Sequence, residues 1–241
     1  MSNILFIFEG EKTEKKIVDN LTKFFISDKN TIIQCAYCNN IYKLYKDIDN
    51  DEFLDTFMLL KEIDINKDVL AEFERNDFAE IYLFFDYDGH DTLANDKIVS
   101  EILKFFNEET SVGKLLISYP MVEALKHFSD DNTFKNLKVK AKYNIHYKKI
   151  VSKEANKNLI NFNSYTKESW ITLLNCHLKK MNYIINDEYN IPNTSYSQKT
   201  IFDNQKNKYI DKDKTVAVLS SFPIFLFDYY GVDFINYLLS E

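Results

Sequence analysis

The chain has 241 residues and a net charge of −7, enough length for one large domain or two small ones and too acidic for a protein coated in basic surface. Hydrophobic residues make up 45%, so a sizeable core is available, while 4 glycines and 3 prolines leave little material for flexible linkers. Three cysteines exclude a disulfide framework, no apolar run approaches the length of a membrane span, and Met1-Ser2-Asn3 leads straight into a strand-like run rather than a signal peptide, so a cytoplasmic protein without membrane attachment is expected.

Residues 4–8, Ile-Leu-Phe-Ile-Phe, read as a strand buried on both faces. It runs into Glu9-Gly10-Glu11, after which Ile17, Val18, Leu21, Phe24 and Phe25 give residues 13–25 the apolar stripe of a helix, with Thr13 as its cap. Residues 31–37 suit a second strand, and 51–78 form an acidic stretch of helical pattern with Phe53, Phe57, Leu60 and Ile63 on one face. The apolar run 81–85 is a third strand that ends abruptly in acid, with Asp86, Asp88 and Asp91 around Gly89 and His90. A helix over 95–106, a short strand over 114–118 and a helix over 121–128 behind Tyr119-Pro120 complete the pattern. Alternation of this kind predicts an α/β fold with a mostly parallel sheet and helices on both faces.

The texture changes after about residue 130. Residues 134–157 are lysine-rich without clear periodicity, and 169–185, 197–210 and 231–239 read as helices, with 216–219 as a late strand. The division predicted is an α/β core over 1–130 and a mainly helical addition over 131–241 packed on it. The aromatic run 222–230 suits core packing, or a partner or homo-oligomer surface if exposed.

The chemistry gathers where strands end. In a parallel sheet the carboxyl ends lie on one side, so Glu9, Asp86, Asp88 and Glu123, one turn into its helix, can converge. Clustered carboxylates repel one another, a divalent cation relieves that, and oxygen-only ligands favour Mg²⁺ or Mn²⁺ over zinc. Acids at such places also serve as plain turn or cap residues. Cys35-Ala36-Tyr37-Cys38 and Cys176-His177 are poorly spaced for zinc and read as buried or idle thiols.

Lys135, Lys138, Lys140, Lys142, His146, Lys148, Lys149, Lys153 and Lys157 share one acid, Glu154, and interleave Tyr143 and Tyr147. Lysines neutralise phosphates without reading sequence, and rings stack unpaired bases. With Arg75 the only arginine, bidentate reading of guanine is not available here. Lys12 and His90 are further candidates to touch a phosphate beside the acids. The competing reading of the lysine segment is a solvated surface.

An apolar strand ending in Glu-Gly, followed after an α/β interval by one ending in Asp-x-Asp, resembles the Toprim domain of topoisomerases, primases, OLD-family nucleases and a ribosomal-RNA maturase. More narrowly, Phe8-Glu9-Gly10-Glu11-Lys12-Thr13-Glu14 is similar to the opening of RloB-like proteins. Ser118-Tyr119-Pro120-Met121-Val122-Glu123 is similar to that family's Asn-Pro-x-Phe-Glu segment, departing from it at Tyr119 and Met121. The resemblance covers residues 4–130. It implies a Mg²⁺-dependent nuclease with Glu9 as general acid/base and Asp86 and Asp88 as ligands of the ion, Glu9 belonging to the same metal centre. It further implies a role as an effector in antiphage or abortive-infection defence, an RNA (including tRNA) or DNA substrate, and an ABC-type ATPase partner. Two other readings stand beside it. Asp86-Tyr87-Asp88-Gly89-His90-Asp91-Thr92 resembles the Asp-x-Asp-Gly-Thr signature of haloacid-dehalogenase-like phosphatases, with Asp86 as nucleophile, but carries an insertion and leaves Glu9-Gly10 without a role. The third is a non-catalytic subunit that binds nucleic acid or a partner.

Overall fold

The structure, a computed structural model, describes residues 2–26, 31–38, 41–50, 55–87 and 95–240. In chain order the elements are β1 (Ser2–Phe8), α1 (Thr13–Phe25), β2 (Thr31–Tyr37), α2 (Ile41–Asp49), α3 (Thr56–Glu62), α4 (Lys67–Leu70), β3 (Phe78–Asp86), α5 (Asp96–Phe105), β4 (Asn107–Glu108) and β5 (Gly113–Ser118). There follow α6 (Asp131–Asn136), β6 (Lys138–Lys140), α7 (Tyr147–Glu154), α8 (Lys167–Asn186), α9 (Gln198–Gln205), α10 (Asp211–Asp213), β7 (Thr215–Ala217) and α11 (Ser221–Ser240). Five strands form one sheet in the order β2-β1-β3-β5-β4; β1 runs parallel to both β2 and β3, and β4 antiparallel to β5. The fold class is therefore α/β with a mostly parallel sheet, as the alternation of elements predicts. Among the described residues no helix is long and apolar enough to cross a membrane.

The chain divides into two compact units, Met1–Phe85 with Lys97–Leu115, and Asp86–Asp96 with Leu116–Glu241. Residues 116–130, read from sequence with the α/β part, fall in the second unit.

In the first unit β1 is central and apolar throughout: Ile4 to Phe8 are each at most 1% exposed, so both faces are covered. Phe6 meets Tyr82 and Phe84 of β3 edge-on at 5.9 and 5.2 Å, the preferred geometry for ring quadrupoles, and each buried ring contributes about 2 kcal/mol through the area it removes from water. Helix α1 buries Ile17, Val18, Leu21 and Phe25, but Phe24 is exposed at 38%, and the cap position belongs to Lys12, whose side chain makes no capping bond, rather than to Thr13. The long helix predicted over 51–78 breaks into α3, α4 and 3₁₀ turns, with Phe53 outside the described residues. The reason is Asn66. Its fully buried amide accepts from the Tyr37 N–H and donates to the Tyr37 and Leu60 carbonyls, satisfying strand-edge groups that a continuous helix would leave open. Arg75 ties the entry of β3 to the β4–β5 turn by donating to the carbonyls of Phe78, Thr110 and Ser111. Gly113 follows at φ 112°, where a Cβ would stand 2.5 Å from Leu83 Cδ1, so only glycine fits.

The second unit is mostly helical. Its axis is α8, capped by Thr166 and burying Trp170, Leu173, Leu174, Leu178, Met181 and Ile184, with α6 and α11 packed against it. β6 and β7 pair antiparallel, and Tyr119 and Leu219 exchange backbone hydrogen bonds at 2.8 and 3.0 Å. The residues leaving β3 and β5 are joined as well, the Tyr87 N–H donating to the Ser118 carbonyl at 3.0 Å. The lysine segment, irregular in sequence, contains β6 and α7. The aromatic run 222–230 is the first half of α11 and buries Phe222, Phe225 and Phe227; the helix kinks at Gly231, whose φ of 78° requires glycine. Where a helix was predicted over 121–128 there is only a 3₁₀ turn, Val122–Lys126.

Candidate active site

Strand β1 delivers Glu9 at its carboxyl end, half-buried. A Cβ on the next residue, Gly10, would lie 3.2 Å from the carboxylate of Glu14, a tight contact with the end of a flexible side chain. Glu14, in the first turn of α1, is only 7% exposed, so the carboxylate folds back over the end of β1. Lys12 and Glu11 between them are exposed. The parallel register pairs Phe8 with Phe84, so Glu9 stands one residue beyond a paired position on β1, and Asp86 two residues beyond its partner on β3. Asp86 is half-buried; Asp88, Gly89, His90 and Asp91 lie outside the described residues.

In the second unit the 3₁₀ turn Val122–Lys126 sets Glu123 in the interior at 5% exposure. One of its oxygens faces Lys148 Nζ at 3.4 Å; the other, Oε2, is buried with no hydrogen-bond partner among the described residues. Four residues on, His127 is 2% exposed and uses both ring nitrogens: Nδ1 lies 2.9 Å from the Tyr147 hydroxyl and Nε2 3.1 Å from Glu154 Oε2. Burial, and then the negative charges of Glu123, Glu154 and Asp86, push the Tyr147 phenol well above its ordinary pKa. The Glu154 carboxylate can only accept, so the proton of a neutral ring sits on Nε2 and points at it, and Nδ1 is left to accept from the protonated Tyr147 hydroxyl. Burial lowers the His127 pKa and Glu154 opposes that. The outcome is a directed chain, Tyr147 to His127 to Glu154, from the interior to a carboxylate whose side chain is 58% exposed.

The sequence signal for this chain is faint. Tyr147 and Glu154 stand seven apart, two turns along one face of α7, and His127 follows Glu123 at a spacing of four. Neither spacing reveals that α7 packs against the 3₁₀ turn. From sequence Tyr147 reads only as a ring for base stacking.

The lysines divide by partner. Lys138 is ion-paired with Asp213, and Lys142 with Asp96 at 2.8 Å while lying over the Tyr87 ring at 5.3 Å. Lys148 faces Glu123. Lys140 and Lys149 are exposed and line, with Tyr143, His146, Tyr147 and Lys148, a cavity of about 320 Å³. Of the candidate zinc residues, the Cys35 thiol is pushed up to about 11 by burial, Cys176 is fully buried, and His177 Nδ1 accepts the Ser220 N–H.

Among the described residues no three His, Cys, Asp or Glu side chains gather as a metal-binding set, Asp88 lying outside them. The acids that are described do fit a hard cation in kind. They are all-oxygen donors, and the Oε2 of Glu123, buried and without a hydrogen-bond partner among the described residues, is an electron-rich atom that a cation would satisfy.

Comparison of the chain with protein-family models, with curated proteins and with solved structures found no match.

Proposed function

We propose that the chain is a Mg²⁺-dependent nuclease of Toprim type, related to RloB-like proteins, that cleaves RNA or DNA as an effector of antiphage defence with an ABC-type ATPase as partner. The observation that carries this reading is the arrangement around Tyr147, whose hydroxyl lies within the field of Asp86 and Glu123, with one oxygen of Glu123 buried and unpartnered. Buried acids of this kind cost several kcal/mol to keep ionised without a compensating charge, and Lys148, itself largely exposed, supplies only part of it. In support, β1 and β3 are adjacent and parallel and end in Glu9 and Asp86.

In this reading Asp86 and Asp88 hold Mg²⁺, with Glu9 nearby as the group that takes or gives a proton. The ion, when bound, activates water and neutralises charge on the phosphoryl group. Glu123 holds Lys148 toward the site, and Tyr147 presents a protonated hydroxyl whose orientation is fixed by His127 and Glu154. Lys140 and Lys149 neutralise backbone phosphates.

The reading is tested by incubating purified protein, alone and with the ATPase, with labelled tRNA, single-stranded RNA and duplex DNA. Cleavage that EDTA abolishes and that Glu9→Ala and Asp86→Asn lower by at least a hundredfold is the expected result. Intact substrates in every combination would overturn it.

A further inference from the structure

The cavity of about 320 Å³ in the second unit has a lining with a definite chemical character. Lys140, Lys148 and Lys149 line it beside Pro120, Met121 and Ile145, and no acid is among its lining residues. Lys148 is partly neutralised by Glu123, whereas Lys140 and Lys149 have no carboxylate partner among the described residues and are exposed. Three aromatic rings share the wall: His146, Tyr143 and Tyr147. Tyr143 is a large ring left 61% exposed, whereas Tyr165 and Trp170 elsewhere in that unit are buried against each other. Tyr147 forms the inner wall and its hydroxyl faces away, toward His127.

A ligand that satisfies this lining needs a flat apolar face for Tyr143 and a negative charge a few ångströms away for Lys140 and Lys149. Inorganic phosphate lacks the first and an uncharged aromatic lacks the second. The volume lies at the small end of the range for ligand pockets, enough for one base with its sugar and phosphate rather than for a duplex. We propose that this cavity binds a single nucleotide with an unpaired base, the base stacked on Tyr143 and the phosphate held by Lys140 and Lys149. The inference deepens the nuclease reading and rests on it for its biological sense. In that reading Tyr147, which lines the cavity and holds its hydroxyl on His127, joins the pocket to the catalytic acids, and the bound nucleotide is the one beside the bond to be cut. Lysine point charges and one stacking ring select unpaired nucleotides without selecting the base.

The test is calorimetric titration of the full chain with adenosine 5′-monophosphate, adenosine, inorganic phosphate and a single-stranded hexanucleotide of adenosines, at low and moderate salt. The expected result is that the monophosphate binds at least tenfold tighter than phosphate or adenosine, and that Tyr143→Ala and Lys149→Ala each weaken it about tenfold. Both side chains are exposed, so neither variant is expected to unfold the protein. A hexanucleotide that binds tighter still assigns the pocket to a strand, and equal affinity assigns it to a free nucleotide. Phosphate binding as tightly as the monophosphate, or Tyr143→Ala binding unchanged, would overturn the proposal. Cleavage that survives the loss of nucleotide binding overturns the placement of the bound nucleotide beside the bond to be cut and spares the nuclease reading. Nucleotide binding lost in Tyr143→Ala, in a protein that cuts nothing, upholds the pocket and sinks the nuclease.

Discussion

The hydroxyl of Tyr147 lies 2.9 Å from Nδ1 of His127, and that contact fixes the direction of a proton chain ending at Glu154. Tyr147→Phe keeps the ring and removes only the donor, leaving a buried imidazole nitrogen unpaired at a cost of about 1–2 kcal/mol. The donor also favours neutral His127, so its loss should let Nδ1 accept a proton at higher pH than in the parent protein. Thermal melting and an NMR titration of the His127 ring check both expectations. A His127 pKa that stays put or falls would show that the hydroxyl does not donate to it.

Lys180 is the most buried lysine described, 1% exposed, and its Nζ donates to the carbonyls of Phe134, Lys135 and Leu137 at 2.7 to 2.9 Å. These are carbonyls at and just past the end of α6, where helices leave acceptors open. Burial pushes the Lys180 pKa down to about 7, but three acceptors call for three ammonium protons, and a neutral amine has only two to give. Lys180→Met should therefore cost roughly 2 kcal/mol: the carbonyls of Phe134, Lys135 and Leu137 lose the ammonium, while those of Phe134 and Leu137 keep the N–H groups of Leu137 and Val218. Urea unfolding should show a lower midpoint with an unchanged slope; a midpoint shift worth less than about 0.5 kcal/mol would contradict the capping role.

The fold was legible where the cause is local, and the site was legible only in part. β1 and β3 announce themselves because five consecutive apolar residues, rich in aromatics and β-branches, fit a strand covered on both faces. α1 and α8 follow from their helical pattern, although the cap of α1 falls on Lys12 rather than Thr13 and that of α8 on Thr166, before the predicted start. The stretch 51–78 misleads because its apolar spacing is helical, while the deciding interaction, Asn66 with Tyr37, spans 29 residues. The lysine segment misleads in the opposite way: charge dominates its composition, and the apolar positions Val139, Ala141, Ile145 and Val151 that seat it are too sparse to show a period. Glu9, Asp86 and Glu123 stand out as acids next to apolar runs, whereas the partners of Tyr147 are set by the packing of α7 on the 3₁₀ turn, which no spacing encodes. Lys138 and Lys142 look like Lys140 and Lys149 in sequence, and only the placement of Asp213 and Asp96 separates them.

His177 supplies a pH dependence whose sign is fixed. Its ring is fully buried, set edge-on to Phe134 at 4.8 Å, and burial holds its pKa down to about 3 against 6.5 when unfolded. Between those values the unfolded chain binds a proton that the folded chain refuses, so stability falls as pH drops from 6.5 toward 3 and is fully present above 6.5. The ceiling on this contribution is on the order of 5 kcal/mol, reached only near the bottom of the window. His177→Phe should flatten the acid limb of a stability–pH curve relative to the parent. Parallel curves for the two proteins between pH 6.5 and 4 would show that His177 titrates normally when folded.

The central claim is that acids at the ends of β1 and β3 hold one divalent cation. Anomalous diffraction from crystals soaked in Mn²⁺ tests it most directly. A peak is expected at the carboxyl end of the sheet, ligated by Glu9, Asp86 and Asp88 at roughly 2.0–2.3 Å, and absent in Asp86→Asn crystals treated alike. A well-ordered site without a peak at saturating Mn²⁺, or a peak bound elsewhere and unaffected by Asp86→Asn, would contradict it.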